Sequence, residues 1–219
     1  MSDDWDIEEE LTPLKMTCTS SKCQERLHCY KPTRAQKESN EIGQCRSCNE
    51  SADFDWERLH RMDINDIDYT VAALKNEFIR HHYWTNNIPT KVENYALRKG
   101  KVGMQKAFEH RVRKYLGEPA NAYDGRQTPV EDSPRVNAVN FAQHATASCC
   151  RICAEYWFGI PKDRSLREDE ISYLTQLGMR YVGERFPILQ EKGEKVSPLR
   201  KTQENEYHST EETTHISRI

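Results

Sequence analysis

Two groups of thiols carry the chemistry legible in this chain. In residues 144–162, HATASCCRICAEYWFGIPK, one His and three Cys fall within ten residues: His144, Cys149, Cys150 and Cys153. Cys150-x2-Cys153 has the spacing of a zinc knuckle whose second half opens a helix, where the free N–H groups of the first turn favour thiolates. His144, five residues before Cys149, can swing back to the same ion. Adjacent cysteines rarely serve one tetrahedral ion well, so Cys150, Cys153 and His144 are the first choice of ligands and Cys149 is a reserve. Three ligands leave one position for water or a distant side chain, as in an open zinc site. Other chemistries fit the same residues. Cys-x2-Cys at a helix start is also a redox dithiol arrangement, although the strand–helix alternation of thioredoxin-like folds is missing. A low-pKa thiol activated by His144, with Arg151, Lys162 and Arg164 to bind an anion, would be a nucleophile. Buried structural cysteines are the plain alternative.

The second group lies near the N-terminus. Cys18-x4-Cys23 and Cys45-x2-Cys48 are two close pairs separated by a longer loop. That is a zinc-ribbon layout, in which two knuckles each offer two thiolates to a closed tetrahedral site. Gly43, Ser47 and Asn49 suit a knuckle turn. The intervening KPTRAQKESNEIGQ is polar and aperiodic, so metal would have to supply its folding energy. Cys29 is surplus; either it or His28 can replace Cys18 in the quartet. One or two Zn2+ ions are therefore the expected cofactors.

Composition narrows the class. The chain has 219 residues, 36% hydrophobic and 31% charged, with a formal net charge of -3. It can form one sizeable domain or two small ones, and as a whole carries no nucleic-acid signature. No apolar run approaches the about 18 residues of a membrane helix, and MSDDWDIEEE has no secretory h-region. Eight Cys in such a chain point to metal ligands or redox groups in a cytoplasmic protein rather than to a disulfide framework.

The elements that must position these residues read as mainly helical. Ile64, Ile67, Val71, Leu74 and Phe78 form one apolar stripe, which predicts a helix over 63–84 with Asp63 as its N-cap and Arg80, His81 and His82 as cations at its C-terminal end. Residues 90–116 predict two helices interrupted at Gly100 and Gly103, the second presenting Phe108, Val112 and Leu116. Its other faces hold Lys106, Arg111, Arg113 and Lys114 in the only strongly basic block. This block is either a solvated face or a phosphate-contacting patch for nucleic acid. Residues 117–135 form a long loop with a turn at Asp124–Gly125, and 136–141 suggest a short strand. A helix over about 150–158 stops at Gly159 and Pro161. A last helix spans 166–186, capped by Ser165 with Glu168, with Ile171, Leu174, Leu177, Tyr181 and Phe186 inside.

On DGRQTP at residues 124–129, AQHATASCC at 142–150, Cys153, Trp157 and GIPK at 159–162, continued by EDEISYL, the chain resembles an uncharacterised bacterial family, domain of unknown function 4186. The resemblance covers roughly residues 95–186, and the N-terminal TCTSSKCQERLHCYKPTR with its later knuckle resembles the start of longer members. It implies no activity. Shorter members have the HATxxCCxxC stretch alone, which implies that the second cluster does not depend on the first. This chain has Phe158 and Pro134-Arg135 where shorter members have His, so no hydrolytic mechanism carries over through those positions.

The expected fold is mainly α with a small N-terminal zinc-ribbon-like module of short β strands, an α+β protein. Its expected parts are an acidic mobile arm (1–15), the Cys-rich zinc-ribbon-like module (16–50), a helical domain holding the His/Cys cluster (51–188) and a disordered polar tail (189–219). The expected function is a structural-zinc recognition module binding nucleic acid or protein, or alternatively an enzyme working through His144, Cys149, Cys150 and Cys153.

Overall fold

The computed structural model describes residues 16–39, 43–120 and 128–196. The acidic arm, the Asp124–Gly125 turn and the chain beyond residue 196 lie outside them. The described residues are mainly helical: α1 (Arg34–Glu38), α2 (Trp56–His60), α3 (Ile67–Leu74), α4 (Phe78–Thr85), α5 (Thr90–Leu116), α6 (Ala138–Ala145), α7 (Arg151–Phe158) and α8 (Glu168–Arg185). The expected β ribbon is not formed among the described residues. Among the described residues the only β pairings are the isolated bridges Lys22–Leu27, His28–Glu77 and Gln44–Ser51. Lys22–Leu27 closes a tight loop around Cys23 and Gln44–Ser51 one around Cys45 and Cys48, and both loops are too short to extend into strands. The fold is accordingly mainly α rather than α+β.

α5 and α8 pack lengthwise, and α6 is wedged against α4, α5 and α8. The stripes read from the sequence supply this core: Phe108, Val112 and Leu116 face Ile171, Leu174, Leu177 and Tyr181, all buried. Gly178 permits the closest approach, because a Cβ there would stand 2.3 Å from the Phe108 ring. The expected break falls at Gly100 (φ 63°), whose backbone is non-helical and kinks α5 between two helical stretches, while Gly103 lies within the second of them. At the kink the chain after residue 189 lies against it: Lys101 N–H donates to Gln190 O, and Glu194 N–H donates to Leu97 O. The start of the expected polar tail is thus held on α5.

The single helix expected over 63–84 is divided. Asp63 caps a 3-10 turn, Ile64–Asp66, through Asn65 N–H, and α3 ends at Leu74. The break has a tertiary cause. His28 N–H donates to Asn76 O and Phe78 N–H donates to His28 O, so the N-terminal module interrupts the helix ladder at residues 76–78. The strand expected over 136–141 is not formed, and the chain is helical from Ala138. Asn137 caps α6 in a reciprocal capping box with Asn140, and every residue of α6 is buried, which erases any periodic pattern. α8 is capped at Arg167, in a reciprocal box with Glu170, two residues beyond the expected Ser165 cap.

The Cys-rich module shares the helical core. Tyr30 and Cys45 belong to the same buried cluster as Leu59 and Trp157. Tyr30, Phe54 and Trp56 surround Trp157 of α7, with ring centroids 5.3–6.4 Å apart. Such pairs add about 0.5–1.5 kcal/mol each beyond their buried area.

Candidate metal centres and the ion pair between them

Four side chains of the N-terminal module converge: Cys23, His28, Cys45 and Cys48 bring their ligand atoms within 4.8 Å of one another. Cys23 opens a 3-10 turn, and Cys45 and Cys48 sit on the knuckle closed by Asn49 N–H to Cys45 O. Sγ of Cys23 is 3.8 Å from Sγ of Cys45, and Sγ of Cys48 is 3.5 Å from His28 Nδ1. The far nitrogen of His28, Nε2, faces Glu50 at 3.6 Å. At this separation Glu50 is an ionic neighbour of the ring rather than a hydrogen-bond partner, and Nδ1 is the nitrogen that faces the cysteines. Burial opposes the Cys45 thiolate, but N–H groups of Cys29, Ser47 and Cys48 and the His28 side chain outweigh it and bring its pKa down to about 6. Cys48 moves the other way, to about 11; the Glu50 N–H favours its thiolate, but burial and the neighbouring sulfurs of Cys23 and Cys45 outweigh that bond. Three thiolates and one imidazole match the donor set of a closed tetrahedral zinc site.

Cys18 stands apart from this group. Its Sγ accepts from Lys31 Nζ at 3.6 Å, and its carbonyl accepts from Cys29 Sγ at 3.6 Å. Cys29 is fully buried, and burial with the nearby Glu77 charge raises its thiol to about 12. It is therefore a neutral packing group. His28, read only as a substitute, takes the position given to Cys18 in the four-cysteine reading.

In the second cluster Cys149, Cys150 and Cys153 place their three Sγ atoms within 4.8 Å of one another. Cys150 is the N-cap of α7 and Cys153 lies one turn inside it, while Ala147 at φ 53° turns the chain between α6 and α7. Both adjacent cysteines join the group. His144 is not part of it. Its ring stacks on Tyr83 at 4.8 Å, Nε2 bonds Thr128 O at 3.2 Å, and Nδ1 is buried without a partner. Burial first, then the Arg80 cation, lowers its pKa to about 4, so the imidazole is neutral.

The group that does face the thiols is Arg80. It has no exposed surface. Its guanidinium donates to Cys153 Sγ at 3.2 Å, Cys149 Sγ at 3.7 Å, His144 O at 2.5 Å and Glu77 Oε2 at 3.0 Å. Burial disfavours this cation, but the sulfurs of Cys149 and Cys153, with Tyr156 and Glu77, outweigh it and hold the pKa well above the usual value. Hydrogen bonds from Cys150 and Cys153, joined by Arg80, place the negative charge on Cys149 and hold its pKa well down. The Cys150 and Cys153 thiols are correspondingly pushed up by their bonds to it.

Glu77 joins the two regions. Its carboxylate also accepts from Tyr30 N–H at 3.2 Å, Tyr156 OH at 2.8 Å and Trp157 Nε1 at 3.0 Å. Burial pushes its pKa up and Arg80 opposes the rise. In sequence, Glu77 and Arg80 have only the i,i+3 spacing of an ordinary surface pair, and no pattern signals that both are fully buried.

The remaining candidates are engaged elsewhere. Arg151 donates to the carbonyls of Leu116 and Arg164, Lys162 pairs with Glu155, and Arg164 pairs with Glu170. They do not form an anion site beside the thiols. On α5, Arg113 bridges Glu109 and Glu168, and Arg111 stacks on Tyr115 and bonds Gln143. Lys114 also lies over the Tyr115 ring, and Lys106 is exposed.

Fold and site together define a mainly helical protein with two groups of side chains able to hold metal ions. A family profile described as Domain of unknown function (DUF4186) matches residues 68–183, and the chain belongs to that family. The match includes the second cluster and the Glu77–Arg80 pair, while the Cys23/His28/Cys45/Cys48 group precedes it. No solved structure matches the chain. No helix among the described residues is long and apolar enough to cross a membrane.

Proposed function

We propose that this protein is a zinc-structured recognition scaffold with two metal sites: Cys23, His28, Cys45 and Cys48 hold one ion, and Cys149, Cys150 and Cys153 hold another. The observation that supports this reading is the convergence of each set of ligand atoms within 4.8 Å. In the first set, His28 turns Nδ1 toward Cys48 Sγ at 3.5 Å, and its other ring nitrogen faces the Glu50 carboxylate at 3.6 Å. A closed Cys3His site is structural, since zinc chemistry on a substrate needs an open position. Its ion would supply the folding energy that a polar 16–50 segment lacks.

The competing reading, a thiol nucleophile activated by His144, has less support. The imidazole Nε2 is engaged by Thr128 O, and Arg80 is the group that faces Cys149. Nucleic-acid contact through Lys106, Arg111, Arg113 and Lys114 also loses support, because the two arginines are committed to neighbours within the protein. A protein partner is the simpler target for the scaffold.

Metal quantification on wild type, Cys45→Ser and Cys150→Ser tests the two-site reading. Two equivalents falling to one in each variant is the expected outcome; a single ion lost in both variants would refute independent sites. Filter binding at low salt with DNA and RNA is expected to show no retention. Retention that weakens on charge reversal of Arg111 and Arg113 would restore the nucleic-acid role.

A further inference from the structure

The two clusters share no ligand, yet a continuous run of buried bonds joins them. We propose that the two metal sites are thermodynamically coupled. An ion held by Cys23, His28, Cys45 and Cys48 docks the N-terminal module on Glu77, and Glu77 sets Arg80 against Cys149 and Cys153, so the first ion tightens the second site. This coupling presupposes the two-site reading and specifies how the second site is regulated.

The run starts at the knuckle. Arg46 N–H, between the ligands Cys45 and Cys48, donates to Cys29 O at 2.9 Å and fastens the knuckle to residues 28–30. That stretch grips both sides of Glu77. His28, itself a member of the first set, donates its N–H to Asn76 O and accepts from Phe78 N–H, and Tyr30 N–H donates to Glu77 Oε1. Glu77 Oε2 then accepts from Arg80 Nε at 3.0 Å, and Arg80 donates to Cys153 Sγ at 3.2 Å and Cys149 Sγ at 3.7 Å. Tyr30, Glu77, Arg80 and Cys153 are all buried, where each such bond is stronger than in water.

Coupling requires an element with two arrangements for which each ion has a different affinity. That element is the 16–50 segment, docked or released. It is polar between its cysteines and joins the common core through Tyr30 and Cys45, so it does not hold its shape alone. Docking positions His28 and completes the first quartet. Release withdraws the Tyr30 N–H from Glu77 and uncovers Trp157, whose Nε1 bonds the same carboxylate. Water then reaches the Glu77–Arg80 pair, and the guanidinium is no longer fixed beside the sulfurs. The trio keeps its own ligands and loses the donor that neutralises and orients them. Loss of such a donor lowers metal affinity about 10–100-fold. By reciprocity, an ion at the second site tightens the first by the same factor. The DUF4186 match contains Glu77, Arg80 and the second cluster but not the first quartet, so the preceding module acts on the family's thiols from outside the matched region.

Chelator competition with Zn2+ on the full-length protein reads the coupling. Cys150→Ser gives the affinity of the first site alone. Cys48→Ser, at an exposed position, gives that of the second site alone, and Cys23→Ser repeats this measurement from the other side of the quartet. The two-ion constant of wild type is expected to exceed the product of the one-ion constants about 10–100-fold. Glu77→Gln keeps an oxygen for Tyr30 N–H but removes the charge that holds Arg80, and is expected to bind two ions with that excess gone. A second readout leaves the first quartet intact. In Cys150→Ser, Zn2+ at the first site is expected to slow hydrogen exchange in peptides covering residues 77–80 and 151–158 as well as 16–50. A wild-type constant equal to the product overturns the coupling, as does an excess that survives Glu77→Gln or slowing confined to residues 16–50. If wild type binds a single ion, the two-site reading fails too; two ions without the excess sink only the coupling.

Discussion

Replacing Arg80 with Met tests the centre of this structure most directly. Met keeps an apolar stem of similar length but removes a guanidinium that bonds Glu77, His144 O, Cys149 and Cys153. Glu77 and Arg80 are both fully buried. Removing one partner leaves the other charge without its counter-ion, which costs about 3–5 kcal/mol. With an m-value of about 3 kcal/mol/M in urea, the unfolding midpoint drops by roughly 1–1.7 M. Metal affinity at the second cluster falls by about 10–100-fold, as for other outer-shell losses, while the first cluster keeps its ion. Adding Glu77→Gln to Arg80→Met should recover part of the loss, because the stranded carboxylate is then gone, so the double variant falls short of the summed single losses. Urea titration followed by Trp fluorescence, with competition against a metallochromic chelator, reads both quantities. A midpoint shift under about 0.3 M together with unchanged affinity at both sites would refute the reasoning. It would mean that Tyr30, Tyr156 and Trp157 satisfy Glu77 by themselves.

Further expectations concern pH, metal removal and packing. The folded-state pKa of His144 lies near 4, below its ordinary 6.5, so its contribution is complete above pH 6.5 and is lost as pH falls through 4. That contribution is worth about 3 kcal/mol; urea midpoints of wild type and His144→Gln should therefore converge between pH 7 and pH 4, and a constant difference would exclude it. Chelation should expose residues 16–50 to limited proteolysis while α5 and α8 stay protected, whereas equal protection with and without chelator would contradict metal-dependent folding there. Gly178→Ala would set a Cβ 2.3 Å from Phe108 and should destabilise by about 1–3 kcal/mol. A thermal midpoint within a degree of wild type would show that α5 and α8 can slide apart freely.

The sequence alone determined what depends on neighbours along the chain. The apolar stripes of α5 and α8 follow from helical periodicity, and both helices bury the faces read from them. Cys-x2-Cys spacing sets each knuckle locally, and a Gly at position 159 with φ 65° ends α7 where the sequence places the stop. Tertiary structure decided everything that depends on who arrives from a distance. His28 completes the first quartet because its backbone is tied to residues 76–78, and the same ties break the helix expected over 63–84. α6 gave a false strand signal because it is buried on every side, and period is lost when no face meets water. His144, close to the cysteines in sequence, is held away from them by Tyr83 and Thr128. Arg80, sixty-nine residues from Cys149 along the chain, is the group that meets them. Its type and spacing fit the solvated end of a helix, and only the packing of α4 against α6, beside the buried Glu77 carboxylate, turns it inward. Ligand choice and buried charge are set by long-range closure, so local spacing could propose the thiols but not their partners.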